Sequence, residues 1–138
     1  MHQIHIKRVY DERSSTDGYR VLIDKLWPRG IKKEKVHFDN WMKDIAPSND
    51  LRNWFKHDPK KWVEFKQRYT QELNTNKDAV SELLKHLDKQ DVTLLYGAKD
   101  EEHNNAVALH EYLNKKLHLS EKKFNNRHPG IAKKTKKG

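Results

Sequence analysis

At 138 residues the chain has the length of a single domain, and a domain of that size withdraws roughly 68–70% of its unfolded surface from water with no metal or disulfide to hold it. There is no cysteine, which excludes thiol catalysis, disulfides and cysteine-ligated zinc and fits a reducing cytosol. The net charge of +9 suggests a polyanionic partner, but residues 115–138 hold nine of the 29 Lys and Arg and one of the 20 acids, so the body is nearly neutral and the tail carries the excess.

Met1-His2-Gln3-Ile4-His5 has no apolar run of signal length, and no stretch reaches the 18 or so apolar residues of a membrane span, so a cytoplasmic protein is expected. Ile4, Ile6 and Val9 with Tyr10 predict a first strand, and the turn formers of residues 11–18 predict a loop. A second strand over about residues 19–26 stops at Trp27-Pro28, because proline cannot donate to a ladder. Phe38, Trp41, Met42 and Ile45 have helical spacing up to Pro47, with a short extended segment as the alternative. Ser48 is placed to cap a helix carrying Leu51, Trp54 and Phe55. Asp58-Pro59 opens another, with Trp62, Phe65, Tyr69 and Leu73 on one face. Val80, Leu83, Leu84 and Leu87 mark a third helix with Leu84 in its core stripe; Val92 to Tyr96 read as a third strand, and Ala106, Leu109, Leu113 and Leu117 as the stripe of a last helix.

The pattern predicts a single small α/β domain over residues 1–118: a short parallel or mixed sheet of about three strands, packed by four to five helices. Residues 119–138 read as a basic, disordered tail. The link between the first two strands is short for a parallel crossover, which leaves a hairpin open.

Ligands of open α/β sheets bind beyond the carboxyl ends of the strands, and both later strands break into charge at that end. Arg29, between Pro28 and Gly30, offers a fork for phosphate or carboxylate; it serves equally as a pin on Asp24 or Asp100. Lys99, Asp100, His103 and Asn104 fall where the last helix is expected to start. With Asp100 as its cap, His103 becomes a general acid or base oriented by that carboxylate, Lys99 a second anion contact and Asn104 a group that orients substrate. Acids at 100–102 are also what a helix dipole favours by itself. Arg8 and Tyr10 end the first strand and reach the same edge, with packing the plainer role for Tyr10. Asp24, inside an apolar strand, needs a partner such as Arg20 or Arg29 and reads with Trp27 and Pro28 as structural support. Trp41, Trp54 and Trp62 are spaced for core packing rather than base stacking. No Gly-rich phosphate loop and no metal-ligand spacing occurs, so no cofactor or metal is expected.

Arg8-Val9-Tyr10-Asp11, Gly18-Tyr19-Arg20-Val21-Leu22, Leu26-Trp27-Pro28-Arg29-Gly30, Ala46-Pro47-Ser48, Leu51-Arg52-Asn53-Trp54-Phe55, His57-Asp58-Pro59 and Lys99-Asp100-Glu101-Glu102-His103-Asn104 together resemble the YeaO-like proteins of the domain-of-unknown-function family 488. The resemblance spans about residues 4–117. It implies a compact cytoplasmic α/β domain and no particular activity. More distant members carry an Asp and Arg after the second strand and a Cys-His-Arg run at the last helix. The matching positions are Asp24 with Arg29, and His103-Asn104, without the cysteine.

Two readings follow. One is a small enzyme or binding domain for an anionic ligand, a nucleotide or phosphorylated metabolite, at the sheet edge. The other is a nucleic-acid-associated protein whose tail lysines, Lys122, Lys123, Lys133, Lys134, Lys136 and Lys137, contact phosphates. Because the apolar periodicity ends by residue 119, removing residues 119–138 is expected to change stability by less than about 1 kcal/mol. A melting point many degrees lower in the truncated protein would show that the tail docks on the body.

Overall fold

The computed structural model describes residues 2–127, with side chains as far as residue 118. In chain order it contains β1 (Ile4–Arg8), β2 (Tyr19–Leu22), β3 (Asn40–Trp41), α1 (Asn49–Phe55), α2 (Trp62–Thr75), α3 (Lys77–Leu87), β4 (Val92–Tyr96) and α4 (Asn105–Arg127). All strand pairs are parallel and the order is β1-β4-β2-β3, so the last strand of the sequence lies between the first two. Ile4 and Tyr19 both register with Val92, and Ile6 and Val21 both register with Leu94.

That order closes the hairpin alternative. β1 and β2 are not neighbours, and residues 9–18 only carry the chain back to the start of the sheet. About 30 Å of extended reach is ample for a strand of about 17 Å. The return ends at Gly18, whose φ of +68° and closeness to β4 exclude a side chain: a Cβ there would sit 2.1 Å from the Asp91 carbonyl oxygen. That oxygen accepts the Tyr19 N–H at 2.8 Å, which starts β2 in register.

Alternation along the strands separates the two faces. Ile4, Ile6, Tyr19, Val21, Ile23, Val92, Leu94 and Tyr96 join one core with apolar residues from all four helices. His5, Lys7, Arg20, Leu22, Thr93 and Leu95 alternate with them. Loops rather than helices cover this second face. Asp17, buried, accepts from Arg20 Nη1 at 2.5 Å and from the Ser14 N–H at 2.9 Å, and pairs with Lys7 Nζ at 2.8 Å. Arg20 also donates to the His37 carbonyl at 2.6 Å, and Thr93 Oγ1 to the Asp17 carbonyl at 2.7 Å. Burial works against the Asp17 charge, but the bonds from Lys7, Ser14 and Arg20 prevail and hold its carboxyl below the usual range.

The caps at Ser48 and Asp58 form as expected: Ser48 Oγ accepts from the Leu51 N–H at 3.1 Å, and the Asp58 carboxylate from the Lys60 N–H at 3.0 Å ahead of α2. Three expectations are corrected. β2 ends at Leu22, so Asp24 lies in the loop that follows. The 38–45 segment takes the extended alternative, as a fourth strand and a 3-10 turn rather than a helix: sheet bonds from Asp39 N–H to Arg20 O (2.7 Å) and from Met42 N–H to Leu22 O (2.9 Å) override the apolar spacing. Leu84 is partly buried, whereas Leu83 is 1% exposed. The backbone of α4 continues to Arg127, so the expected disorder of the tail concerns residues whose side chains or whole structure lie outside those described.

Leu83→Ala is expected to cost about 2–5 kcal/mol and Leu84→Ala less than about half of that, read from urea unfolding midpoints. Equal losses would put both side chains in the core.

Candidate functional site

The loops that leave the carboxyl ends of β2 and β4 enclose a cavity of about 790 Å³. Its floor is Asp24. One carboxylate oxygen accepts the Gly97 N–H at 2.9 Å and the other accepts from Asn105 Nδ2 at 3.1 Å, while its carbonyl accepts from Trp41 Nε1 at 2.7 Å. Asn105 Nδ2 also reaches the Ile23 carbonyl at 3.1 Å. One aspartate thus ties β3, the end of β4 and the first residue of α4 to the end of β2. Its partners are amides and an indole; neither Arg20 nor Arg29 pairs with it. Burial pushes the Asp24 carboxyl above the usual range, against the pull of Asn105, the Gly97 N–H, Arg52 and His57. Gly97 permits this closeness, since a Cβ there would meet Pro28 at 2.9 Å and Asp24 Oδ2 at 3.1 Å.

Of the residues singled out in the sequence, Tyr10, Asp24, Trp27, Pro28, Arg29, Lys99, Asp100 and Asn104 line this cavity. Arg29 is exposed and makes no ion pair among the described residues, so it is not the pin of the loop. Trp27 is held by its indole N–H on the Ile31 carbonyl at 2.5 Å and packs edge-on to Trp41. Arg8 stands outside the lining; it donates to the Ala98 carbonyl at 3.0 Å and its guanidinium lies 4.5 Å over the Tyr10 ring.

The segment before α4 differs from expectation. The helix begins at Asn105, and its cap is Asn104, whose Oδ1 accepts the Val107 N–H at 3.0 Å. Asp100 is therefore not a helix cap. Its carboxylate folds the loop on itself, accepting from the N–H groups of Glu102 (2.9 Å) and His103 (3.0 Å) and meeting His103 Nδ1 at 2.9 Å. The Glu102 N–H and the His103 ring hold the Asp100 carboxyl below its ordinary value. Asn104 Nδ2 donates to the Asp100 carbonyl at 2.9 Å, so both ends of that amide are occupied. His103 packs edge-on against Trp62 at 5.4 Å and is absent from the cavity wall. Glu101 and Glu102 precede the helix rather than sit in its first turn, so the dipole does not account for them.

Sequence reasoning missed Lys25, Arg52, Asn53 and His57, which also line the cavity. His57 follows Lys56, and both have positive φ (57° and 47°), an uncommon conformation for residues with a Cβ. Only the Arg52-Asn53 and His57-Asp58-Pro59 runs hinted at them. Trp54 and Trp62 pack against the core, as their spacing predicts. Among the described residues no group of three or more His, Asp or Glu is placed to hold a metal, and no helix is long and apolar enough to cross a membrane. Lys133, Lys134, Lys136 and Lys137 lie outside the described residues, as do the side chains of Lys122 and Lys123.

Residues 3–131 match the family described as the inactive DUF488-N3 subclade. The chain belongs to the DUF488 family. It is similar to the uncharacterised protein YeaO of Escherichia coli (strain K12), 42% identical over 110 residues that cover 80% of this chain and 96% of that protein. It is also similar to the uncharacterised proteins Rv3073c of Mycobacterium tuberculosis (strain H37Rv) and Mb3100c of Mycobacterium bovis, each 37% identical over 112 residues, covering 81% of this chain and 94% of the relative. No solved structure matches the chain.

A carboxyl with a raised folded pKa favours folding below its ordinary titration range and loses that advantage as the pH rises through the raised value. Asp24→Asn of this DUF488 chain does not titrate there. It is expected to gain stability relative to the parent between about pH 3 and about pH 7, measured by urea unfolding at both. The reverse slope would show that the hydrogen bonds from Asn105 and Gly97, with Arg52 and His57, outweigh burial.

Proposed function

We propose that this DUF488 domain is a binding module for a phosphorylated, nucleotide-class anion, which it holds at the carboxyl edge of the sheet without transforming it. The observation that carries this reading is the convergence of Lys25, Arg29, Arg52 and Lys99 on one cavity whose carboxylates are both engaged. Asp24 is bonded by Gly97 and Asn105 and is pushed toward its neutral form, and Asp100 is closed by its own loop. Four cations then face two acids that bind no cation there, and guanidinium and ammonium groups suit phosphate oxygens. The apolar wall of Leu26, Trp27, Pro28 and Phe55 suits the organic part of such a ligand.

The histidine–aspartate pair supports holding rather than catalysis, because His103 stands off the cavity against Trp62 and Asn104 is bonded within its own turn. His57, which does line the cavity, has no carboxylate hydrogen-bonded to it among the described residues. The description of the subclade as inactive agrees. The cysteine-free composition agrees with a cytoplasmic setting, where phosphorylated metabolites reside.

Titration calorimetry with inorganic pyrophosphate and with AMP tests this. Saturable binding tighter than about 1 mM is expected, weakened about tenfold or more by Arg29→Ala with Lys99→Ala. His103→Ala is expected to stay within about twofold of the parent. No saturable binding of either anion, or an equal loss on His103→Ala, overturns the reading.

A further inference from the structure

Beyond the Tyr10 side of the cavity lies a second one of about 680 Å³, between the 9–13 and 30–37 segments. Its cations are Arg13, Lys32 and Lys35, all exposed and with no side-chain hydrogen bond or ion pair among the described residues. Its buried Arg20 is spent on Asp17 and the His37 carbonyl. Of its acids, Asp11 is partly engaged, accepting the Arg8 N–H at 3.0 Å, and Glu12 is exposed.

Among the described residues, Tyr10 is the one that lines both cavities. Its hydroxyl reaches the Arg29 carbonyl at 3.4 Å, so Tyr10 with Arg29-Gly30 forms the ridge between the two basins. Tyr10 is 49% exposed, a large aromatic left in water, and the Arg8 guanidinium 4.5 Å from the ring centroid props it. An exposed aromatic flanked on two sides by uncommitted cations is the arrangement on which bases stack while phosphates are held to either side. Each cavity alone has the volume of a site for one small ligand. Together they offer room for two such units.

We propose that the two cavities form one continuous site for a dinucleotide unit, with one phosphate at Arg29 and Lys99, a base on Tyr10 and the second phosphate at Arg13, Lys32 and Lys35. This rests on the anion-binding reading of the first cavity and adds the ligand class and the second half of the site. The unit is either a free dinucleotide or a stretch of single strand, and both present the same two phosphates and stacked base.

Calorimetry on the full chain with AMP, 5′-phosphorylated diadenylate and an adenylate 10-mer tests the proposal, with circular dichroism to verify folding of each variant. The diadenylate is expected to bind at least about tenfold tighter than AMP. Lys32→Glu with Lys35→Glu, both on the surface, is expected to bring the diadenylate to the affinity of AMP while leaving AMP within about twofold of the parent. Tyr10→Ala is expected to weaken the diadenylate at least about fivefold. Binding of the 10-mer at least as tightly as the diadenylate, lost in the same variants, identifies a strand as the source. Exclusion of the 10-mer while the diadenylate binds identifies a free dinucleotide. AMP that binds with the diadenylate no tighter, or a lysine double variant that weakens both equally or neither, overturns the two-basin site and leaves the single anion site standing. Failure of all three probes overturns both.

Discussion

The position of β4 governs the rest of the molecule. All five of its residues are buried and it is bonded on both sides, to β1 and to β2. Among the described residues β1 has no other partner and β2 has only the two-residue β3, so both wait for a segment more than 70 residues downstream before their main ladders can form. Because every pair is parallel, three carboxyl ends emerge side by side, and residues 10, 23–30 and 97–104 meet although they are far apart in the chain. The cavity is a consequence of that insertion. The same non-local pairing makes the sheet slow to assemble compared with the helices that cover it.

A parallel sheet ordinarily carries helices on both faces. Here all four helices share one face, and the opposite face is sealed by loops whose polar groups must be paired because they are buried. Asp17 and Asp24 show two ways of meeting that demand. Asp17 has Lys7 and Arg20 in contact, and charge-assisted bonds keep it ionised despite burial. Asp24 has only an amide N–H, a carboxamide and more distant cations, and its burial prevails. The first is a clamp for the loop-covered face. The second lines the cavity, with its carboxyl raised by burial.

The strands and helices with strict periodicity were legible because each depends on its own side chains: Val92 to Tyr96, the stripe of α2, the caps at Ser48 and Asp58. What was not legible depends on partners supplied from elsewhere. Nothing local says that residues 40–41 pair with β2, since Phe38, Trp41 and Ile45 suit a helix equally well. Nothing local says that Asn104 rather than Asp100 caps α4, because both are good capping residues and the choice is made when Asp100 closes on His103. Arg29, Lys99 and Asp24 could be placed at the sheet edge from strand ends alone. Arg52 and His57 could not: Arg52 arrives with the docking of α1, and His57 through the left-handed pair Lys56-His57 that ends that helix.

The hydrogen-bond inventory of the 97–105 segment argues about function more strongly than its residue types do. A histidine beside an aspartate looks like an acid–base pair, but a proton-transfer group needs a valence free for substrate and a position within reach of it. His103 keeps its Nδ1 on Asp100, an arrangement that leaves Nε2 over, but the ring packs edge-on against Trp62 and stands off the cavity wall; the Asp100 carboxylate is shared among two N–H groups and that ring, and Asn104 bonds within its own turn through both oxygen and nitrogen. These residues build a rigid turn. The groups left uncommitted around the cavity are His57 and several cations, Arg29 and Lys99 chief among them, on segments held by Pro28 against Gly97 on one side and by this turn on the other. Rigidity in the loops and freedom in the charges is the arrangement on which the proposed capture of an anion rests.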